Sequence, residues 1–279
     1  MTQTPLIPDA TRIGRTALLV TDLDDMVDFY RDVVGLTVHA RSETTATLGA
    51  DGTPLLVLKR DEAASPRRRE QAGLFHTAFK VPSRSALGAA LERIRDRWQL
   101  SGASDHYVSE ALYLTDPEDN GVEIYRDRPT AEWPRADDGS VQIGTEALDL
   151  PAIASQSDGA ATVPSGTTVG HVHLEVSSLD AARAFYVETL GFGVQTDSRS
   201  ALFVAAGDYH HHLGLNAWNG RSEPLDGRGL AWFELVVPDE AVLATVRQRL
   251  DDTDIAVRDR EETIEIRDPD RIPIRLRAE

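Results

Sequence analysis

GRTALLVTDLDDMVDFYRDVVGL, residues 14–36, and GHVHLEVSSLDAARAFYVETLGF, residues 170–192, are the two stretches that decide the fold. Shifting the chain against itself by 156 residues, the separation of Phe29 from Phe185, superimposes them. The same shift aligns further residues without a gap: Tyr30 with Tyr186, Gly35 with Gly191, Gly73-Leu74 with Gly229-Leu230, and Pro82 with Pro238. The sequence therefore predicts a duplicated unit of roughly 110 residues.

Each unit divides into two modules that have the order strand, helix, three short strands. In the first module, residues 16–20 predict a strand, and a helix begins near Asp22 and ends at Gly35, because apolar residues fall at helical spacing and glycine favours a helix C-cap. The other elements expected in this half are short β-rich runs at 37–41, 45–48 and 55–58, a strand at 75–81, a helix at 85–98, and β-rich runs at 107–114 and 121–125. We predict an α+β fold in which four βαβββ modules pair into two half-open barrels, because one curved four-stranded sheet leaves a face uncovered.

The repeat also predicts the domain organisation. An N-terminal domain spans 1–126, with modules at 14–60 and 73–126, and a C-terminal domain spans 169–279, with modules at 169–218 and 229–277. Residues 127–168 between them are rich in Pro, Ser, Asp, Ala and Gly and are predicted to be a linker, in which 148–153 can dock as a short element. The length of this linker permits the modules of each half to pair with each other but does not establish that pairing.

Composition excludes several classes of function. The 279 residues include no Cys, so the chain has no disulfide framework, thiol nucleophile or zinc–thiolate site. Its formal net charge of −17 makes nucleic acid and anionic membrane surfaces improbable partners. Only Lys59 and Lys80 are lysines, and this acidic, arginine-using composition is similar to that of proteins from salt-loving organisms. No apolar run is long enough to cross a bilayer, so we predict a cytoplasmic protein.

Four stretches resemble the vicinal-oxygen-chelate superfamily, which includes glyoxalases, bleomycin-binding proteins and extradiol ring-cleaving dioxygenases. They are TDLDDMVDFYRDVVGL (21–36), EALYLTDPEDNGVEIYRDRP (110–129), GHVHLEVSSLDAARAFYVETLGF (170–192) and YHHHLGLNAWNGR (209–221). Within that superfamily the chain is most similar to two-domain catechol 2,3-dioxygenase-like proteins. Because this scaffold carries many chemistries, the resemblance predicts the fold more firmly than the reaction.

The resemblance implies a metal site in the N-terminal half. Extradiol enzymes hold Fe(II) or Mn(II) with two His and one Glu, and His76 and Glu123 match one His and the Glu of that pattern. Tyr113 matches an active-site tyrosine, and His106 resembles an acid/base histidine. The position of the other His is Arg15, which cannot bind a metal because it has no free lone pair. We expect Arg15 to pair with an anionic substrate group or with Glu123.

The C-terminal half offers an alternative metal cluster. Its first His is present as His171, but the partner His position is Trp232 and the Glu position is Arg275. Alternate strand residues share a face, so a shifted cluster of His173, His212 and Glu234, with His171 beside it, would again supply two His and a carboxylate. The same alternation predicts that His211 points away from its neighbours at 210 and 212.

These residues favour a metal-dependent extradiol-type dioxygenase that acts on a catechol-like diol. The ligand missing at Arg15 leaves open the alternative that this site has decayed. The alternatives are a metal-free protein that binds a small molecule, as bleomycin-resistance proteins do, and a glyoxalase-type isomerase or lyase. The expected cofactor is Fe(II) or Mn(II), with no nucleotide or flavin, since no phosphate loop or dinucleotide fingerprint is present. The expected partner is a small aromatic or chelating ligand, and a homodimer is a further possibility.

Overall fold

The computed structural model describes residues 7–137, 139, 141–260 and 262–279. All four modules begin with a strand and a helix and continue with three strands. The first module comprises β1 (Arg12–Val20), α1 (Leu23–Phe29), β2 (Thr37–Arg41), β3 (Thr45–Ala50) and β4 (Thr53–Arg60). The second comprises β5 (Gly73–Lys80), α2 (Arg84–Arg97), β6 (Gly102–Asp105), β7 (Ser109–Thr115) and β8 (Gly121–Asp127).

The later part of the chain repeats this order after a connecting segment with two short elements, β9 (Glu146–Ala147) and α3 (Leu150–Ala154). The third module comprises β10 (Thr168–Glu175), α4 (Leu179–Arg183), β11 (Gly193–Asp197), β12 (Ala201–Ala205) and β13 (Leu213–Asn216). The fourth comprises β14 (Gly229–Val237), α5 (Glu240–Asp251), β15 (Arg258–Arg260), β16 (Thr263–Arg267) and β17 (Pro273–Ala278). The predicted α+β class and four βαβββ modules are confirmed.

Helix α1 shows how local sequence sets an element's ends. The side chain of Asp22 accepts hydrogen bonds from the backbone N–H groups of Asp24 and Asp25, which satisfies donors that the first turn leaves open. The helix stops where Gly35 adopts a φ of 92°, a left-handed conformation that costs glycine little. Both predicted ends are therefore correct, but the final turn, Tyr30–Val34, is a π-helix rather than α-helix.

One predicted strand is wrong. The run at 107–114 was expected to be continuous, whereas β6 ends at Asp105 and β7 begins at Ser109. Tyr107 lies between them with a φ of 70°, so the chain turns there. The module consequently has three strands after its helix, as the first module does.

The chain packs into two compact units. Among the described residues, one comprises those within 17–65 and 76–170, and the other comprises those within 7–16, 66–75 and 171–279. These units differ from the division into 1–126, 127–168 and 169–279 that the repeat predicts, and that division stays a prediction. The boundary between the units falls within three strands, β1, β5 and β10, so part of each belongs to each unit.

In the first of these units the strands follow the orders β1-β4-β3-β2 and β10-β5-β8-β7-β6-β9. Strands β5 and β8 are parallel, whereas β7 and β8 are antiparallel. The chain after α1 packs on the sheet through Tyr30, whose ring centroid lies 6.2 Å from that of Phe79 on β5, and both rings are fully buried. The hydroxyl of Tyr30 donates to Asp116 at 2.9 Å, which gives this buried phenol a partner.

The segment at 127–168 is partly ordered against this unit, as the prediction for 148–153 anticipated. Helix α3 places Ile153 in the core, fully buried. Its backbone comes so close to Gly88 of α2 that a Cβ there would lie 2.7 Å from the carbonyl oxygen of Ile153. The guanidinium of Arg93, also on α2, donates to the carbonyl oxygens of Val34 and Ala160 at 2.9 and 2.7 Å. The segment therefore packs on helix α2.

In the other unit the strand orders are β15-β16-β17-β14-β1 and β11-β12-β13-β10-β5. Tyr186 repeats the arrangement of Tyr30, since its hydroxyl donates to Asp268 at 2.9 Å. Burial raises the pKa of Asp268 to about 7, although a backbone hydrogen bond from Ile272 opposes the shift. None of the helices in the described ranges has the length and apolar character needed to span a bilayer.

Candidate metal and substrate site

His76 and Glu123 lie on adjacent parallel strands, β5 and β8, where Ala78 is the direct partner of Glu123 in the ladder. Because alternate residues share a face, His76 and Ala78 both point toward the side on which Glu123 lies. The Nε2 atom of His76 is 2.9 Å from Oε2 of Glu123, and the two side chains are 8% and 3% exposed. The structure thus brings together the predicted N-terminal metal ligands in a buried setting.

Tyr113 stands directly opposite Glu123 on the antiparallel strand β7. Its ring centroid is 5.8 Å from that of His76. Burial raises the pKa of the Tyr113 phenol well above its usual value, and the charge and hydrogen bond of Glu123 raise it further. Tyr113 is therefore a neutral hydroxyl at neutral pH, able to donate one proton and accept another.

His106 completes the group of four residues predicted from the N-terminal half. Its Nε2 atom is 2.7 Å from the Tyr113 hydroxyl, and its Nδ1 atom is 2.7 Å from the backbone oxygen of Gly144. A carbonyl oxygen only accepts, so Nδ1 of His106 carries a proton and donates to Gly144. In the neutral ring Nε2 is consequently the basic nitrogen. The Tyr113 hydroxyl has one proton, which it donates either to this nitrogen or to Glu123.

Gly144 was missed in the sequence, where it lies in the predicted linker. A backbone carbonyl has no residue-type signature, so composition could not reveal this contact. The antiparallel pairing of β6 with β9, which places Ser104 opposite Ala147, brings the segment beside His106.

Three possible metal ligands are grouped in the part of the chain that the structure describes. Donor atoms of His76, Glu123 and His171 all lie within 4.8 Å of one another, and all three residues are buried. Two imidazoles and one carboxylate are the donor set typical of non-haem Fe(II) oxygenases. The chemistry of this set fits the Fe(II) or Mn(II) that the sequence led us to expect.

The rings of His210 and His211 both lie near that of His171, which differs from the direction predicted for the side chain of His211. The His211 ring centroid is 4.2 Å from that of His171, and the His210 centroid is 6.2 Å away. His211 was expected on the opposite face from His210, and this is wrong. The alternation rule fails because residues 206–212 form a loop between β12 and β13 rather than a strand.

The alternative cluster of His173, His212 and Glu234 does not converge. The described residues give no triplet of ligand atoms within 4.8 Å that contains these three. His173 packs among aromatic rings, 5.1 Å from that of Phe75, and Nδ1 of His212 accepts from the backbone of Ala206.

Glu234 is instead held by arginines. The guanidinium of Arg15 donates to it at 2.8 Å through its terminal nitrogen, and Nε of Arg277 lies 3.3 Å away. Burial alone would raise the pKa of Glu234, but the hydrogen bond and charge of Arg15 hold it below the usual value. Arg15 was expected to face Glu123 or a substrate anion, whereas its partner is Glu234.

Three positions that would hold metal ligands in the family pattern are occupied here by Arg15, Trp232 and Arg275, and these side chains lie close together. The guanidinium carbons of Arg15 and Arg275 lie 5.7 and 4.3 Å from the ring centroid of Trp232. These distances are typical of cation–π contacts. The three non-ligating positions therefore form a packed ionic and aromatic cluster of their own.

Comparison with known proteins places these observations in a family. The model of the Glyoxalase/Bleomycin resistance protein/Dioxygenase superfamily matches residues 12–124 and 168–276. A curated relative, catechol-2,3-dioxygenase of Bacillus subtilis (strain 168), is 36% identical over 272 residues, which cover 94% of this chain and 95% of that protein.

Solved structures agree in fold. A putative dioxygenase from Bacillus subtilis matches with a TM-score of 0.66 and 14% identity, over 96% of this chain and 84% of that one. Glyoxalase I from Zea mays matches with a TM-score of 0.60 and 15% identity, over 96% and 92%. The four modules, the family match and the curated relative together establish that this chain belongs to the glyoxalase/bleomycin resistance protein/dioxygenase superfamily.

Proposed function

We propose that the protein is a metal-dependent extradiol-type dioxygenase that cleaves the ring of a catechol-like aromatic diol. The observation that carries the proposal is the buried carboxylate of Glu123, 2.9 Å from Nε2 of His76 and directly opposite Tyr113 on the neighbouring strand. A catechol-2,3-dioxygenase as a relative over nearly the whole chain supports the same reaction class.

His76, Glu123 and His171 would hold the metal. When bound, Fe(II) or Mn(II) lowers the pKa of a chelating diol and lets charge pass between the diol and dioxygen, so that no separate reductant is needed. Arg15 is not required as a ligand in this arrangement, because His171 supplies the second imidazole. The ionic cluster around Glu234 then has a structural role, and the view of a site decayed at Arg15 is not needed.

Tyr113 and His106 would transfer protons to and from the substrate. With Nδ1 of His106 fixed as a donor by Gly144, Nε2 can take a proton and return it. When Nε2 is protonated it donates to Tyr113, whose hydroxyl can then donate to a substrate oxygen or to Glu123. Proton transfer at Nε2 of His106 is therefore coupled to the direction in which the Tyr113 hydroxyl points.

Three finer statements stay proposals: a small aromatic or chelating ligand as partner, a homodimer, and a cytoplasmic location in a salt-adapted cell. The acidic net charge of −17 supports the last of these, because acidic surfaces remain hydrated in concentrated salt.

The test is metal analysis joined to catalysis. Protein reconstituted without oxygen should take up about one Fe(II) or Mn(II) per chain and consume dioxygen with catechol, as the three-ligand set predicts. Glu123→Gln and His76→Ala should each lose both metal and activity. The matched control is His39→Ala, which removes a histidine outside the ligand set.

Other outcomes would contradict the proposal. Binding of Zn or Ni with no oxygen consumption would favour a glyoxalase-type reaction, and absence of any metal would favour a metal-free binding protein. Equal metal content in Glu123→Gln and the unmodified protein would show that Glu123 is not a ligand.

A further inference from the structure

Another buried carboxylate, that of Glu175, lies at the end of β10 and is 1% exposed. It is surrounded by donors from two other parts of the chain. Arg67 and Arg221 approach it at 2.9 and 2.8 Å, and the side-chain amide of Asn219 donates to it at 2.5 Å. We call these four residues the Glu175 cluster. It contains two guanidinium groups and one carboxylate, so it carries one uncompensated positive charge.

Arg221 has an unused donor in this cluster. Its terminal nitrogens donate to Glu175 and to the backbone oxygen of Arg69, but its buried Nε finds no acceptor within the described part of the chain. A buried N–H group without a partner is unfavourable. Burial also lowers the pKa of Arg67, and the neighbouring charge of Arg221 acts in the same direction. An added anion would stabilise this arrangement, because the two guanidinium groups lie close together and the Nε–H group of Arg221 has no acceptor in the described residues.

An aromatic surface lies next to this cluster. The ring of His173 is 5.1 Å from Phe75, 5.5 Å from Phe203 and 5.1 Å from Trp218, and Trp218 is 48% exposed. The ring of Phe203 in turn lies 5.0 Å from that of His211. Offset and edge-on ring contacts of this kind suit a flat aromatic ligand.

Strand geometry orders these features along one face. His171, His173 and Glu175 alternate along β10, so all three side chains point the same way. His171 and Glu175 are four residues apart, which corresponds to about 13 Å between their Cα atoms. A bare diol bound at His171 does not reach Glu175, but a diol ring with a short side chain that ends in an anion does.

We propose that the Glu175 cluster binds a carboxylate of the substrate, whose ring packs against the aromatic side chains around His173. A carboxylate has two oxygens in one plane, which match the paired N–H donors of a guanidinium group. It also carries the single negative charge that the cluster lacks, whereas a phosphate dianion would exceed it. The diol part of this inference rests on the proposed dioxygenase function, but the carboxylate site does not.

Binding without metal tests the carboxylate site alone. Phenylacetate and its neutral analogue phenylacetamide are titrated into metal-free protein by calorimetry, and we expect phenylacetate to bind at least about tenfold more tightly. Arg221→Gln should remove this preference. Arg258→Gln, which removes an exposed arginine on β15 in the other sheet, is the matched control and should retain it. If Arg221→Gln does not fold, Arg221→Lys keeps the charge without Nε and should show a reduced preference.

Equal binding of the two compounds, binding of neither at millimolar concentration, or an unchanged preference in the Arg221 variants would overturn the proposal. Catalysis separates this inference from the proposed function. If metal-loaded protein cleaves catechol and 3,4-dihydroxyphenylacetate with the same KM, the dioxygenase stands and the carboxylate site fails. If phenylacetate binds through Arg221 but no diol is cleaved, the carboxylate site stands and the dioxygenase fails.

Discussion

Replacing Arg15 with alanine should destabilise the fold without affecting the metal site. Glu234 is fully buried, and Arg15 supplies two side-chain hydrogen bonds to it, at 2.8 and 3.3 Å. Removal of one partner from a buried ion pair typically costs about 3–5 kcal/mol. Two features reduce this figure here. Arg277 still lies 3.3 Å from Glu234, and the Arg15 side chain is 35% exposed, so solvent weakens the pair.

We therefore expect a loss of about 2 kcal/mol in the free energy of unfolding, since roughly half of the penalty remains. For a chain of this size that corresponds to a fall in Tm of about 4–8 °C. The pKa of Glu234 is below its usual value of 4.5 in the folded protein, so the pair stabilises the fold above that pH and ceases to do so as the pH falls through the folded pKa. In Arg15→Ala, burial would raise the pKa of Glu234 and let it take up a proton. The difference from the unmodified protein should therefore be smaller at pH 4 than at pH 7.

The assay is urea unfolding at both pH values, with metal content measured on the same samples. Arg12→Ala is the control, because Arg12 pairs with Glu279 on the surface and its loss should cost at most about 0.5 kcal/mol. The reasoning is refuted if Arg15→Ala is no less stable than Arg12→Ala. It is also refuted if Arg15→His raises the bound metal, since that would make this position a lost ligand of the catalytic site.

Two further predictions concern packing and pH. Gly88→Ala should lower the free energy of unfolding by about 1–2 kcal/mol, because the new Cβ would lie 2.7 Å from the Ile153 carbonyl oxygen and this overpacking outweighs the gain in helix propensity. Thermal melting measures the loss, with the exposed substitution Arg95→Ala as the control. A rise in the Tm of Gly88→Ala would show that α3 does not pack there. Burial raises the pKa of Asp268 to about 7, so the folded protein keeps a proton on this side chain that the unfolded chain releases above about pH 4. The contribution of Asp268 to stability should therefore fall as the pH rises from 5 to 8. Urea unfolding of Asp268→Asn should lack this contribution, and an unchanged pH slope in the variant would contradict the assignment.

Much of the fold was predictable because the boundaries of its elements depend on residues that are close together in the chain. The cap at Asp22, the apolar spacing of α1 and the stop at Gly35 each depend on a few neighbouring residues, and all three predictions are confirmed. The π-helical turn at Tyr30–Val34 was not predictable in this way, because the same residues satisfy an α-helical pattern.

The candidate site was predictable only in part. His76, Glu123, Tyr113 and His106 were named from the sequence, and the structure brings them into contact. The grouping of His171 with the first two was not foreseen, because the sequence does not state which modules pair. For the same reason Arg15, Trp232 and Arg275 were assigned to two separate sites, although they pack together.

The hydrogen bond from His106 to the Gly144 carbonyl has a consequence for engineering this protein. Residues 127–168 have the composition of a spacer, and a designer would treat them as free to shorten or to exchange for a glycine–serine tether. Such an exchange would release the imidazole to rotate and to swap its tautomer. A variant made to alter only the connection would thus be altered in its acid–base behaviour as well.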